Sequence, residues 1–257
     1  MRKTGIAADA AARCSLPLIL YQPGKVGSVS VRRTLEENGY FVIHLHSLPG
    51  RDPRKQVLLS MLERGTTGWR IITLVRDPVG RNISNFFEGM IRPGNAWYIG
   101  NEAYVRSLRV SELIERFFAV NMHIHLSFLH WFEKQLTRYF FFAPLSESFD
   151  PSRGYGLYAN RLGRLLLLRL EDISPIGEKA LSGFIGHAPG RIQIRRANNT
   201  NNKWYGDRYR DFKDQIVCPR EYLEAVYENK YARRFYSQEE INRFRKRWRF
   251  QQHRVQL

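Results

Sequence analysis

Leu18-Ile19-Leu20-Tyr21-Gln22-Pro23-Gly24-Lys25-Val26-Gly27-Ser28-Val29-Ser30 carries the reading of the fold. A short apolar run stops at Pro23-Gly24, a lysine, a glycine and two hydroxyl residues follow, and a helix-forming segment begins. Chains build anion cradles in this way. A buried strand ends, small residues let backbone N–H groups face one point, and a helix N-terminus adds its partial positive charge. Lys25 supplies a full, mobile charge. A Gly-Ser turn between strand and helix also occurs as a plain turn, so the loop alone leaves both readings open. Its spacing differs from the triphosphate-binding loop G-x-x-x-x-G-K-[ST]: Lys25 precedes Gly27, and no glycine lies five residues before Gly24.

Working outward, short apolar runs predict strands at Leu18–Tyr21, Tyr40–His44, Arg70–Val75, Tyr139–Phe142 and Leu165–Leu170. Continuous apolar runs suit parallel strands covered on both faces. Helices are predicted at Ser28–Asn38, Pro53–Arg64, Val79–Met90 and Ser111–Gln135, the first two stopping at Gly39 and Gly65. The alternation argues an α/β fold of three layers, P-loop-like, with a central parallel sheet of about five strands and a helical C-terminal extension. Ligands of such sheets bind beyond the carboxyl ends of the strands. The loops after Tyr21, Ile43 and Val75 would therefore meet in one crevice. Residues 1–15 read as a disordered leader and 16–257 as a single domain, of which 190–257 forms a polar, basic helical part. Within it, Ser237-Gln238-Glu239-Glu240 is a capping box ahead of Ile241, Phe244 and Trp248, a stripe expected to dock.

The 257 residues carry a formal charge of +17. That excess favours polyanionic partners such as a nucleotide, an acidic glycan or an anionic membrane face, although much of it is also explained as solvated surface. From Lys230 onward nine Lys/Arg stand against two Glu, so the last helix is a candidate for peripheral membrane contact. Cys14 and Cys218 are too far apart to form a framework, which suits a reducing compartment. No run approaches the roughly 20 apolar residues that span a bilayer, so the expectation is a cytoplasmic protein, with possible contact at the inner face of the membrane.

A second motif narrows the chemistry. Arg76-Asp77-Pro78-Val79-Gly80-Arg81-Asn82-Ile83-Ser84 follows the third predicted strand. Arg76 falls at the strand's carboxyl end, Pro78 suits a helix start, and Ser84 lies two turns along. An arginine fork and a hydroxyl so placed can hold a phosphate from two sides; a plain ion pair for Arg76 and a packed Ser84 is the alternative. Together, Lys25-Val26-Gly27-Ser28 and Arg76-Asp77-Pro78…Ser84 resemble the sulfotransferases that use 3′-phosphoadenosine 5′-phosphosulfate. A third echo is Leu165 to Pro175, with Glu171-Asp172 after the apolar run. The resemblance covers roughly residues 18–186. It implies that Lys25, Val26, Gly27, Ser28, Val29 and Ser30 bind the 5′-phosphosulfate, that Arg76 and Ser84 bind the 3′-phosphate, and that no metal is needed. More narrowly, Tyr21–Ser30, His44-Leu45-His46, Asn202-Lys203-Trp204-Tyr205 and Phe235-Tyr236-Ser237…Glu240-Ile241 resemble bacterial capsular polysaccharide synthesis proteins.

Sulfuryl transfer resembles phosphoryl transfer, so positioning and charge stabilisation dominate. Lys25 is the candidate that stabilises the bridging oxygen. A hydroxyl of a saccharide or glycolipid acceptor needs a base, and imidazole titrates in the right range. His46, nearer the carboxyl end of the second strand, is the first choice, with His44 as its orienting partner or as the base itself; a structural role or a metal site are the alternatives. His123 and His125 read as packing or surface, and Glu171-Asp172 as a cap for the helix at Ser174-Pro175. The Arg-Lys-Gly segment with which sulfotransferases close over the nucleotide is absent, leaving Arg195, Arg196 and Lys203 as candidates by position. Two rival readings are a P-loop-type nucleotide-dependent kinase and a non-catalytic basic protein binding glycan or membrane, with nucleic acid disfavoured.

Overall fold

A computed structural model describes residues 16–188, 191–194 and 203–249. The expectations placed on residues 1–15 and on Arg195, Arg196 and Asn202 lie outside the described residues. The chain alternates β1 (Leu18–Tyr21), α1 (Ser28–Glu37), β2 (Val42–Leu45), α2 (Pro53–Glu63), β3 (Trp69–Val75) and α3 (Pro78–Gly89). A helical stretch follows, and then β4 (Tyr155–Asn160) and β5 (Gly163–Arg169). The sheet order is β2-β1-β3-β5-β4, with the first four strands parallel and β4 antiparallel to β5.

The period of two along each strand splits the apolar runs between two cores. Ile19, Tyr21, Ile71, Val75, Leu165 and Leu167 face one side, beneath α3 and the helices around residues 110–140 and 205–248. Leu18, Leu20, Ile72, Leu74, Leu166 and Leu168 face the other, against Val31 and Leu35 of α1 and Leu181 and Phe184 of the Glu178–Ile185 helix. This is the three-layer α/β arrangement read from the sequence. Layers on both sides explain why the strands read as unbroken apolar runs.

Three expectations are corrected. Tyr139–Phe142 is not a strand: Arg138–Phe140 is helical, and Phe141 leaves the helix at φ 56° with its ring exposed while Phe140 and Phe142 are buried. A four-residue aromatic run has no periodicity that separates strand from helix end. The fifth strand is instead β4, folded back from β5 by a turn in which Asn160 Oδ1 accepts the N–H groups of Leu162 at 2.8 Å and Gly163 at 3.2 Å. Ser111–Gln135 is not one helix but Val110–Ala119, Met122–Leu126, Ser127–His130 and a π-helical Phe132–Thr137, interrupted where Asn121 caps a new start through His123 N–H.

At the C-terminal end the capping box forms as read. Ser237 Oγ accepts from Glu240 N–H at 3.2 Å, and Glu240 Oε2 accepts from Ser237 N–H at 2.8 Å. Ile241 and Trp248 of the Gln238–Arg249 helix are buried, and Phe244 stacks on Tyr227. The same Glu240 receives the buried guanidinium of Arg169 at the end of β5, which also pairs with Asp172 at 2.5 Å. This ties the last helix to the carboxyl edge of the sheet. Among the described residues no helix is long and apolar enough to cross a membrane.

Candidate functional site

β1 ends at Tyr21, and the chain turns through Gln22-Pro23-Gly24 into the lysine loop. Lys25 adopts φ 72° and Gly27 φ 84°, two left-handed residues that fold the loop tightly over the start of α1. The left-handed backbone favours glycine there, and a Cβ on Gly27 would meet Leu170 Cδ1 at 2.4 Å, so the leucine side chain would also have to move. No side chain caps α1 at Gly27. Val26 is buried in the core, leaving its backbone as the part that can serve a ligand. Ser28 Oγ lies 3.0 Å from His44 Nε2, while Ser30 N–H bonds back to Gly27 O at 3.3 Å.

α3 faces this loop. Asp77, Arg81, Ser84 and Glu88 recur every three or four residues and, with Gly80, share one helical face. Arg81 Nε donates to Gly24 O at 3.1 Å, and Arg76 Nη1 to Lys25 O at 3.0 Å. Ser84 sits one turn from both Gly80 and Glu88. Glu88 Oε2 pairs with Lys25 Nζ at 2.7 Å and with Lys203 Nζ at 2.8 Å, Arg92 holds its other oxygen, and Tyr205 Oη lies 3.4 Å away. Burial raises the Glu88 carboxyl, but hydrogen bonds from the two lysines outweigh it and hold the group at about 2. Burial lowers Lys25 despite Glu88, whereas Lys203 is raised because Glu88 and Tyr205 overcome its weaker burial. Lys203, a candidate by position alone, thus stands beside Lys25. Glu88 escaped the sequence reading, although its place one turn beyond Ser84 was the available signal.

Asp77 is the structural anchor of the arginine motif. Its carboxylate accepts from Val79 and Gly80 N–H at the helix start, from Tyr227 Oη at 2.5 Å and from Trp248 Nε1 at 2.9 Å. Its own N–H donates to Glu171 Oε1 at 2.7 Å, and Tyr236 Oη donates to Glu171 Oε2 at 3.1 Å. Glu171 therefore braces the arginine turn, and Asp172 pairs with Arg169. The expected cap at Ser174 is not what they form, because the Ser174 hydroxyl bonds to Glu178. A cavity of about 200 Å³ opens here, lined in part by Arg76, Gly80, Glu171, Lys213 and Arg247. Burial lowers the Lys213 ammonium, and Arg247 and Arg76 depress it further. Lys213 and Arg247 come from separate C-terminal helices, and no spacing in the sequence relates them to Arg76.

The histidines lie at the carboxyl end of β2, His44 opposite Leu20 of β1 and His46 just past the strand. Their rings are 4.9 Å apart. Gln22 Nε2 approaches His44 Nε2 at 2.8 Å. An amide nitrogen only donates, so that imidazole nitrogen is an acceptor already engaged. His46 Nδ1 lies 3.0 Å from Gln22 O. A carbonyl only accepts, so Nδ1 carries the proton and the Nε2 lone pair is left for chemistry. Burial holds His44 at about 4, with His46 and nearby arginines adding to the effect. Burial also lowers His46, as do the charges of Lys25, Arg81 and Lys55, against the pull of Gln22 O. His125 is buried against Trp97, Phe117 and Tyr222 and His123 is exposed, the packing and surface roles expected.

A lysine loop, an arginine-bearing helix and a histidine pair thus meet at one edge of the mostly parallel sheet of an α/β protein. The chain belongs to the family described as "Putative capsular polysaccharide synthesis protein", whose model matches residues 107–237. The matched segment brings Lys203 and Tyr205 to Glu88 and Tyr227, Tyr231 and Tyr236 to the arginine turn. No curated protein and no solved structure matches the chain.

Proposed function

We propose that this protein moves the sulfuryl group of 3′-phosphoadenosine 5′-phosphosulfate to a hydroxyl of a saccharide or glycolipid acceptor. The carrying observation is the hydrogen bond from Arg76 Nη1 to Lys25 O, which joins the two motifs of the sulfotransferase resemblance into one site. A donor with phosphate groups at two ends of a nucleoside needs two cationic poles. Lys25, Lys203 and the start of α1 form one; Arg76, Lys213 and Arg247, which outnumber the Asp77 and Glu171 carboxylates in the cavity lining, form the other. The capsular polysaccharide family supports a saccharide as the acceptor.

In this reading the acceptor oxygen forms a bond to sulfur as the bond from sulfur to the 5′-phosphate oxygen breaks. The acceptor proton passes to His46 Nε2, and Lys25 stabilises the charge left on the departing phosphate. The backbone of Val26, Gly27, Ser28, Val29 and Ser30 holds the 5′ end, and Arg76 and Ser84 the 3′-phosphate. His44, its Nε2 engaged by Gln22 and Ser28, orients the pair.

Isothermal titration with adenosine 3′,5′-bisphosphate, against ATP with magnesium, tests the donor assignment. We expect the bisphosphate to bind and Arg76→Ala to weaken it by more than about tenfold. Absence of binding, or an affinity untouched by Arg76→Ala, overturns the reading, and preference for magnesium-ATP moves the protein to the kinases.

A further inference from the structure

A second cavity, about 190 Å³, lies between the Pro23-Gly24 turn, Arg81 and the Ser127–Gln135 segment, and shares no lining residue with the cavity at Arg76. Trp131 forms a fixed wall of it. Its Nε1 donates to His46 O at 2.6 Å, and its ring leans on Tyr21 with centroids 4.9 Å apart. Gln135 Oε1 is held by Tyr21 Oη at 2.5 Å and Leu48 N–H at 3.2 Å, so its amide N–H₂ is the group it can offer a ligand. Phe128 is buried under the Arg81 guanidinium, 4.6 Å from its ring centre. The π-helical turn at Phe132–Thr137 widens the backbone that carries Lys134 and Gln135, a distortion often found at functional sites.

These groups select a ligand class. The C–H face of a sugar ring is apolar and lies flat on an indole, while its hydroxyls meet the Gln135 amide and the Ser127 hydroxyl. Arg81 and Lys134 add positive charge, and among the described lining residues there is no carboxylate to neutralise it. The volume falls below the roughly 300–1,000 Å³ of pockets for drug-sized ligands, which fits one ring rather than a long oligomer.

We propose that this cavity is an acceptor subsite that takes one acidic sugar ring of a saccharide chain, its C–H face on Trp131 and its acid group at Lys134. The inference rests on the transferase reading above, because the Trp131–His46 hydrogen bond sets the bound ring beside the proposed base.

Isothermal titration of the full chain with a glucuronic-acid-terminated oligosaccharide, and with its carboxyl-reduced neutral counterpart, tests the subsite. The acidic probe is expected to bind about tenfold or more tighter than the neutral one. Trp131→Ala should weaken it by about tenfold, and Lys134→Ala, at an exposed position, should erase the preference for acid. Neither variant should change the affinity for adenosine 3′,5′-bisphosphate, which also shows that each is folded. Failure of both probes to bind, equal affinity for the two, or binding indifferent to both substitutions overturns the subsite. Trp131-dependent acidic binding without any bisphosphate binding sustains the subsite and overturns the donor reading instead.

Discussion

Lys25 and Lys203, from opposite ends of the chain, place their ammonium groups 2.7 and 2.8 Å from the same carboxylate oxygen of Glu88. Glu88 balances two cations, and in the proposed function an anionic donor takes over part of that role. An anion entering the loop competes with that carboxylate for Lys25, and both lysines are partly shielded from water, so the competition carries weight.

Glu88→Gln should therefore destabilise the ligand-free protein, on the order of 1–3 kcal/mol, by leaving two neighbouring ammonium groups without their shared partner. It should also strengthen bisphosphate binding several-fold. Thermal melts with and without adenosine 3′,5′-bisphosphate read both effects. An unchanged ligand-induced shift in Tm would show that Glu88 does not compete for the anion.

Gly27→Ala should cost about 1–2 kcal/mol from the left-handed backbone alone, with the Leu170 contact adding to it. The left-handed φ that alanine resists is what folds the loop, so bisphosphate affinity should fall along with stability. Urea unfolding and titration of the same sample check the two losses; full affinity would place the ligand away from the loop.

Trp248→Ala should cost about 3–5 kcal/mol, because it empties a buried indole volume and removes a hydrogen-bond donor to Asp77. Trp248→Phe keeps most of the volume and leaves Tyr227 on Asp77, so its cost should be smaller, about 1–3 kcal/mol. Denaturant midpoints for the pair separate packing from the hydrogen bond. Equal losses would mean that the indole N–H to Asp77 dominates.

Acid should weaken the fold through its buried histidines. Burial holds both His44 and His125 at about 4. Between an ordinary histidine value near 6.5 and about 4, the unfolded chain binds more protons, so this stability is complete above about pH 6.5 and is lost as pH falls toward 4. The loss at His125 should be on the order of 1–2 kcal/mol at about pH 5. Glu88, held at about 2, contributes at pH values above an ordinary carboxylate's and loses its part below that range, a separate and more acid step. Urea unfolding of wild type and His125→Gln across this range checks the assignment; identical slopes above pH 5 would remove His125 as a cause.

Much of the site's first half was legible in the chain. Lys25 and Gly27 lie two residues apart in one loop, and Arg76 stands just before the helix that carries Ser84, so their relation follows from local geometry. His44 and His46 were readable as neighbours on a strand end. The choice between them was not, because it turns on which imidazole nitrogen meets an amide donor and which a carbonyl. The cations beside Arg76 were hidden for a similar reason: Lys213 and Arg247 lie on two separate C-terminal helices that only the fold brings to the arginine turn.

The sequence by itself determined the alternating α/β order, the three parallel strands that set the crevice, the turn after Tyr21 and the box that starts the last helix. These depend on periodicity, caps and turn residues, which act over a few positions. Only the tertiary structure decided that the fifth strand is Tyr155–Asn160, that Glu171 braces Asp77, and that Lys203 joins Lys25 across Glu88. Such contacts form between segments far apart in the chain, where burial and charge pairing, rather than spacing, select the partners.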